Sequence, residues 1–296
     1  MPSPRPTIIP SRIACQCVCC GSRSLDSSPA ILMPFIAHRV FNWRPVEIDA
    51  SWGLNTIKPG HAYSICNSLQ CRQCGHLFLD IRFNDDEMGN LYKDYRGETY
   101  TELRELYEPG YRMRNKQLND GIDYRPQVEA WLRPHIGTPA TVLDWGGDTG
   151  NNTPFVGEAG LVHIFDISNK ATLPGTLRVS REDVALHSYD LITCCSVIEH
   201  VPYPHKTLVD LHQAMRGRGL LYLEVPFEDV MLDGAINALT RKKHWHEHIN
   251  FFSEESLAHL TETCGFRTVT SNKLQITTAG KHATCFQLLL SPEPTS

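Results

Sequence analysis

VLDWGGDTG, residues 142–150, is the stretch on which the fold turns. An apolar run ends in an acid, Asp144, and a glycine turn follows at once. A strand buried on both faces of a parallel sheet reads as a continuous apolar run, and glycine beyond its carboxyl end lets backbone come close to a ligand. A second run, LVHIFDIS, ends in Asp166, 22 residues after Asp144. That is near the offset of about 20 at which an acid grips ribose hydroxyls. Working outward, YDLITCCSVIEHV predicts a further strand, HKTLVDLHQAM a helix, and GLLYLEVP a buried strand stopped by Pro226. Ser253 is placed to cap a helix over EESLAHLTETC, with Glu254 and Glu255 in its first turn and Gly265 as its stop. FRTVTSNKLQITT and ATCFQLLLS, on either side of AGKH, predict a closing antiparallel pair. The alternation is that of an α/β chain, a parallel sheet with helices on both faces.

Two cofactors compete for the glycine turn. A dinucleotide fingerprint wants glycines at the first, third and sixth places of G-x-G-x-x-G. From Gly146, the third place is Asp148 and the sixth is Asn151. An aspartate is also electrostatically wrong beside a pyrophosphate. The stretch resembles instead the first motif of class I S-adenosylmethionine-dependent methyltransferases, acid-x-Gly-x-Gly-x-Gly. Asp144, Gly146 and Gly150 match it, and Asp148 replaces the middle glycine. Either Asp148 holds the methionine amino group through its carboxylate, or it weakens the hold on the cofactor.

The resemblance runs over about residues 137–290 and includes SVIEHV, residues 196–201. It implies a Rossmann-like seven-stranded sheet with an antiparallel last strand. It further implies S-adenosylmethionine as cofactor, lined by Asp144, Gly146, Gly147, Gly150, Asp166, Ile167, Ser196 and Glu199. An acid-lined pocket suits a cationic sulfonium. The plainer alternative is a glycine turn that binds nothing.

The 296 residues, 41% hydrophobic and 21% charged, are those of an ordinary soluble globular protein. A net charge of -5 provides no field that would attract nucleic acid or an anionic membrane. The longest apolar run, AILMPFIA, is far short of the roughly 20 residues a membrane span needs. MPSPRPTIIPSR, at the N-terminus, is proline-rich without an apolar core and reads as a frayed leader, so a cytoplasmic location is expected. There, eleven cysteines point to metal ligands or buried thiols rather than disulfides. Cys194, Cys195, Cys264 and Cys285 sit in apolar segments and read as small core hydrophobes.

Cys17-x-x-Cys20-Gly21 and Cys71-x-x-Cys74-Gly75 are two copies of one knuckle. Two such turns complete a tetrahedral, all-thiolate Zn2+ site with no open position, so its role is structural. The gap of about fifty residues exceeds ordinary ribbon spacing, Cys15, Cys19 and Cys66 are spare, and His76 is an alternative ligand. The other reading is unligated thiols in a loop-rich region. Residues 1–83 form the expected zinc-knuckle domain, 84–136 a helical connector or lid, and 137–296 the cofactor-binding domain.

KKHWHEHINFF, residues 242–252, alternates histidines at 244, 246 and 248. It is not H-E-x-x-H, so the helical zinc-protease arrangement is absent. It reads as a strand or extended loop just after the fifth sheet strand. Zinc knuckles, then LYKDYRGETY, then the glycine turn, then WHEHINFFS together resemble bacterial methyltransferases of nucleotide-linked sugars. These include deoxysugar C-methyltransferases, whose segment reads Tyr-His-Glu-His; Trp245-His246-Glu247-His248 matches at three of four places. The resemblance implies His248 as base, Glu247 as its partner or a sugar contact, and Tyr95, with Tyr92 and Tyr100, over the pocket. These tyrosines read equally as helix-packing aromatics. His200 either faces the cofactor or acceptor or is structural. Arg241, Lys242 and Lys243 either attract a nucleotide diphosphate or form a solvated basic turn.

The acceptor implied is a small molecule, a nucleotide-linked sugar first, with carbon or oxygen as the methylated atom. The alternatives are an O-methyltransferase of another small-molecule pathway and a non-catalytic zinc-ribbon binding protein on a degenerate fold. The acidic charge and the lack of a basic-aromatic stripe count against RNA.

Overall fold

The structure, a computed structural model, describes residues 8–53, 58–119, 124–168, 170–233, 235–278 and 281–293. Residues 1–7 of the leader and residues 279 and 280 of the AGKH turn lie outside the described residues. The chain begins with β1 (Leu25–Leu32), α1 (Pro34–Phe41), β2 (Val46–Ile48), β3 (Gly60–Ala62), β4 (Ile65–Cys71) and β5 (Leu77–Leu79). β4 pairs antiparallel with both β1 and β5, while β2 and β3 form a separate hairpin. Four helices follow: α2 (Asp85–Tyr92), α3 (Glu98–Tyr107), α4 (Tyr111–Asn119) and α5 (Arg125–Ile136). Asn84 and Glu87 form a reciprocal capping box at the start of α2.

Then come β6 (Thr141–Trp145), β7 (Leu161–Phe165), β8 (Leu177–Arg178), α6 (Arg181–Val184), β9 (Leu191–Cys195), α7 (Pro204–Met215) and β10 (Leu220–Phe227). After these lie α8 (Ala235–Arg241), β11 (His244–Trp245), β12 (Asn250–Phe251), α9 (Glu254–Thr263), β13 (Phe266–Thr278) and β14 (Lys281–Pro292). Seven strands form one sheet in the order β13-β14-β10-β9-β6-β7-β8. The pairings from β10 to β8 are parallel, and β14 runs against both of its neighbours. This is the α/β sheet the sequence predicts, with its antiparallel closing strand.

Successive side chains of a strand leave on opposite faces. Leu143, Ile192, Leu221 and Leu223 pack with Leu208 and Leu211 of α7 and Leu257 and Leu260 of α9. On the other face Val142, Ile164, Leu191 and Tyr222 pack with Val128 and Leu132 of α5. Both faces are covered, which is why these strands read as unbroken apolar runs. Ser253 caps α9 as expected, its side chain accepting from the Ser256 N–H. Pro226 does not stop β10: the strand continues to Phe227, and Pro226 pairs with Cys285 of β14. Pairing with β9 ends at Glu224, so a residue without an N–H is tolerated there as on an edge.

The histidine-rich segment is not a simple extension beyond the fifth strand. Its two ends join the N-terminal sheet, β11 parallel to β1 and β12 antiparallel to β5, giving the order β11-β1-β4-β5-β12. Trp245 is wholly buried and donates through Nε1 to Ser68 Oγ at 2.9 Å, which fixes one end of the crossing. Residues 246–249 therefore pass from one edge of that sheet to the other. Among the described residues, no helix is long and apolar enough to cross a membrane.

Candidate active site

In the seven-stranded sheet the chain moves outward from β6 to β7 and β8, then returns to β9 and β10 on the other side. Open α/β sheets bind ligands at the carboxyl ends of the strands at such a reversal. Gly146 lies there. Its φ is 84°, and an added Cβ would stand 2.3 Å from Val197 Cγ2. Only glycine meets both conditions. Asp144, behind the turn, is 6% exposed and accepts from Thr193 Oγ1 at 2.8 Å and from Thr153 Oγ1. Burial raises its carboxyl pKa against the pull of those two bonds. It braces the turn from below.

Asp166 follows β7 and accepts the Asp148 N–H through Oδ2 at 2.9 Å and the Ser168 N–H through Oδ1 at 2.6 Å. Each oxygen keeps a second acceptor position, so a ribose hydroxyl remains within its capacity. Ile167 is 65% exposed, an apolar surface beside that acid. Ser196, exposed at the end of β9, has φ 53°. A glycine cradle, an acid, a bare apolar side chain and a hydroxyl at the reversal point fit S-adenosylmethionine. Asp148 takes the left-handed conformation a glycine would take, with φ 50°. Its carboxylate accepts from Ser168 Oγ at 3.1 Å and pairs with Lys170 Nζ at 3.0 Å.

At the ends of β9 and β10 a second group of side chains converges. His248 Nδ1 meets Glu228 Oε1 at 2.6 Å, so its carboxylate partner is Glu228 and not the neighbouring Glu247. Glu247 is instead gripped by Arg104 of α3, Nη1 to Oε1 at 2.9 Å and Nη2 to Oε2 at 3.1 Å. Adjacent residues in an extended segment point to opposite sides, which is why one sequence pair serves two partners. Burial opposes the Glu247 charge, yet Arg104 and His246 hold its pKa far below the usual carboxylate range. Burial likewise works against the His248 cation, but the Glu228 bond and the charges of Glu199, Glu228 and Glu247 raise its pKa overall. For His200 and His246, burial, with the His248 charge, outweighs the nearby acids and pushes each down to about 3.

Glu199, expected at the cofactor, is 1% exposed, and burial lifts its pKa to about 7. Its carboxylate faces His200, with Oε1 3.8 Å from Nε2. Its backbone carbonyl accepts the N–H groups of Ile249 and Asn250 at 2.8 and 3.0 Å. Among the tyrosines, Tyr92 reaches the histidines, with its hydroxyl 2.8 Å from His200 Nδ1. Tyr95 packs edge-on against Tyr92 and Tyr100, and Lys170 Nζ lies 5.5 Å from its ring centre. Tyr100 is buried and accepts from Arg104 Nη1. Of the basic turn, Arg241 and Lys243 are exposed, whereas Lys242 is 7% exposed, its Nζ lies 4.1 Å from the Phe251 ring centre, and burial lowers its pKa to about 8.

Glu228 and Arg104 were not legible as site residues. Glu228 had a signal, an acid just past the carboxyl end of a strand. Arg104 had none, because only the tertiary contact between α3 and residue 247 gives it a role.

The two cysteine knuckles fold alike. Gly21 N–H donates to Cys17 O and Gly75 N–H to Cys71 O, each at 2.9 Å, with φ values of 71° and 75° at the glycines. The four thiols of Cys17, Cys20, Cys71 and Cys74 are buried and lie within 4.8 Å of one another. Cys17 Sγ is 3.6 Å from Cys74 Sγ, and Cys20 Sγ is 3.5 Å from Cys71 Sγ. Zn–S bonds of about 2.3 Å in a tetrahedron set the sulfurs roughly 3.8 Å apart, so the four residues fit zinc. His76 is outside this set; its ring stacks on Phe78 and leans on Phe252. Cys194, Cys264 and Cys285 are buried, in keeping with their reading as core hydrophobes.

A family model described as a methyltransferase domain matches residues 114–271, more than half of the chain. No curated protein matches. Among solved structures, the chain is similar to the 1,6-didemethyltoxoflavin-N1-methyltransferase of Burkholderia thailandensis with 1,6-didemethyltoxoflavin and S-adenosylhomocysteine bound. The identity is 18%, over 62% of this chain and 84% of that one, with a TM-score of 0.46. It is also similar to an S-adenosylmethionine-dependent methyltransferase of Methanosarcina mazei, at 13% identity over 56% of this chain and 98% of that one, with a TM-score of 0.43.

Proposed function

The chain belongs to the methyltransferase-domain family, and from that premise we propose that this S-adenosylmethionine-dependent small-molecule methyltransferase acts on a nucleotide-linked sugar, with His248 as the base. The cofactor supplies an already activated methyl group. What remains for the chain is to hold donor and acceptor in line and to remove a proton from the acceptor. Gly146, Gly147 and Gly150 would cradle the donor, Asp166 would take its ribose hydroxyls, and the exposed Ile167 would offer it apolar surface. The observation that carries the base assignment is the 2.6 Å contact of His248 Nδ1 with Glu228. It orients the ring and leaves Nε2 to receive the proton. Glu247, neutralised by Arg104, then orients the sugar or the segment itself. The sugar reading rests on the match of residues 245–248 to the Tyr-His-Glu-His segment.

Cys17, Cys20, Cys71 and Cys74 hold a structural Zn2+ in this reading, a closed set with no position for substrate. Thiolates of this kind and the free thiols elsewhere suit a reducing compartment such as the cytoplasm. Calorimetry with S-adenosylmethionine tests the donor end, and thermal-shift screening against nucleotide sugars tests the acceptor. A complex with S-adenosylhomocysteine should show His248 within hydrogen-bonding reach of the vacated methyl position. A ring turned away from the sulfur would remove it as the base.

A further inference from the structure

The acceptor end holds more ligating atoms than one proton transfer requires. Both carboxylate oxygens of Glu199 are buried without a hydrogen-bond partner among the described residues. A bare buried carboxylate is expensive, and native structures rarely leave one without a reason. The backbone that carries it is fixed: the Ile249 and Asn250 N–H groups fasten its carbonyl, and Asn250 Nδ2 donates to Ile198 O at 3.1 Å and Val201 O at 2.7 Å. Arg82, 2% exposed, donates in turn to Asn250 Oδ1 at 3.0 Å. The turn carrying Glu199 is thus bolted to the segment carrying His248.

The two neighbouring imidazoles are each held from behind. His200 Nδ1 lies 2.8 Å from the Tyr92 hydroxyl and 3.0 Å from Glu247 O, and its Nε2 faces Glu199. His248 Nδ1 is held by Glu228, which leaves Nε2 as its second coordinating nitrogen. One ligand atom from each of Glu199, His200 and His248 lies within 4.8 Å of the others. Imidazoles whose far nitrogen is fixed by an oxygen, grouped around a carboxylate, are arranged as metal ligands are.

We propose that Glu199, His200 and His248 bind a divalent transition-metal ion, and that the ion-loaded protein is the form in which His248 is switched off as a base. Two nitrogens and one oxygen favour ions of the Mn2+ to Zn2+ series over Mg2+ or Ca2+, which prefer oxygen alone. Three protein ligands leave positions open, unlike the closed cysteine set. The ion and the acceptor's proton need the same Nε2 lone pair, so each excludes the other. The inference rests on this cluster being the acceptor end of the methyltransferase.

Cobalt(II) alone is the probe, added to protein already holding zinc in its cysteines. One further equivalent is expected to bind, with weak visible d–d absorption and without the intense near-ultraviolet band of thiolate ligation. Glu199→Gln should weaken that binding by at least about tenfold, and Glu228→Gln, which leaves the His248 ring a hydrogen-bond partner but removes the charge behind it, by roughly 10–100-fold. Unfolding curves of both variants, superimposed on the parent's, show that the fold is retained. Absence of the extra equivalent, or a cobalt spectrum indifferent to Glu199→Gln and His248→Asn, overturns the site. S-adenosylhomocysteine binding on the same samples separates the two ideas: donor binding without cobalt sinks only the metal site, and no donor binding sinks the reading beneath it.

Discussion

Arg104 of α3 and Glu247, 143 residues later, meet through two parallel hydrogen bonds, with their side chains 6% and 14% exposed. The pair ties the helices after the N-terminal sheet to the segment that carries His248. Removing Arg104 leaves the Glu247 carboxylate buried without its two-point partner, which costs about 3–5 kcal/mol. Arg104→Ala should therefore lower the unfolding free energy by that order in urea titrations. Adding Glu247→Gln should restore part of the loss, and simple additivity of the two changes would mean that the ion pair is not formed in solution.

His248→Asn keeps a polar amide near the position of the imidazole Nδ1 but no base. Turnover on the acceptor should fall by roughly 10²–10⁴-fold. S-adenosylmethionine binding, followed by calorimetry, should stay as it is. Equal losses in both would mark a residue that supports the fold instead. Glu228→Gln should give a smaller fall, because the ring keeps a hydrogen-bond partner without the charge.

Gly146→Ala tests the donor cradle. The left-handed φ of 84° costs an alanine about 1–2 kcal/mol, and its Cβ would collide with Val197 Cγ2. Donor binding should be lost or sharply weakened. Val197→Ala in the same chain should recover part of the thermal stability but not the conformational cost. Unchanged affinity for S-adenosylhomocysteine would place the cofactor elsewhere.

Stripping the zinc proposed at Cys17, Cys20, Cys71 and Cys74 with a strong chelator should loosen one sheet and spare the other. Hydrogen exchange is expected to quicken in β1, β4 and β5, and with them in β11 and β12, which complete that sheet. β6, β7 and β9 should keep their protection, since their partners lie in the seven-stranded sheet. Uniform unfolding of both sheets would contradict this.

Lys242 makes stability depend on pH. Burial lowers its folded pKa to about 8, whereas an unfolded lysine titrates near ~10.4. Below the folded value both states are protonated and the full penalty, at most about 3 kcal/mol, is present. Between the two values the unfolded chain holds the extra proton, so stability rises with pH. Lys242→Met should flatten that rise and stabilise the protein near neutrality. Urea midpoints at pH 7.5 and 10, compared between parent and variant, check the sign.

Much of the fold could be read from local pattern. The runs ending at Asp144 and Asp166, the glycines between them and the Ser253 cap all act through neighbours a few residues away. Period, burial and turn chemistry are written there directly. GLLYLEVP misled only at Pro226, because whether a strand tolerates proline depends on which neighbour still pairs with it.

The cluster around His248 was legible only in part. Residues 242–252 announced chemistry through their histidines, yet adjacency in sequence suggested Glu247 as the partner of His248. The structure gives His248 to Glu228 and Glu247 to Arg104.

The sequence by itself determined the element order, the glycine turn at the reversal point of the sheet, and the two cysteine knuckles, because each is a local matter of backbone reach and periodicity. Only the tertiary structure decided which acid meets which base, and that residues 244–251 close both edges of the N-terminal sheet. A hydrogen bond or ion pair depends on where two side chains end in space, and segments some 20 to 140 residues apart come together only when the core has packed.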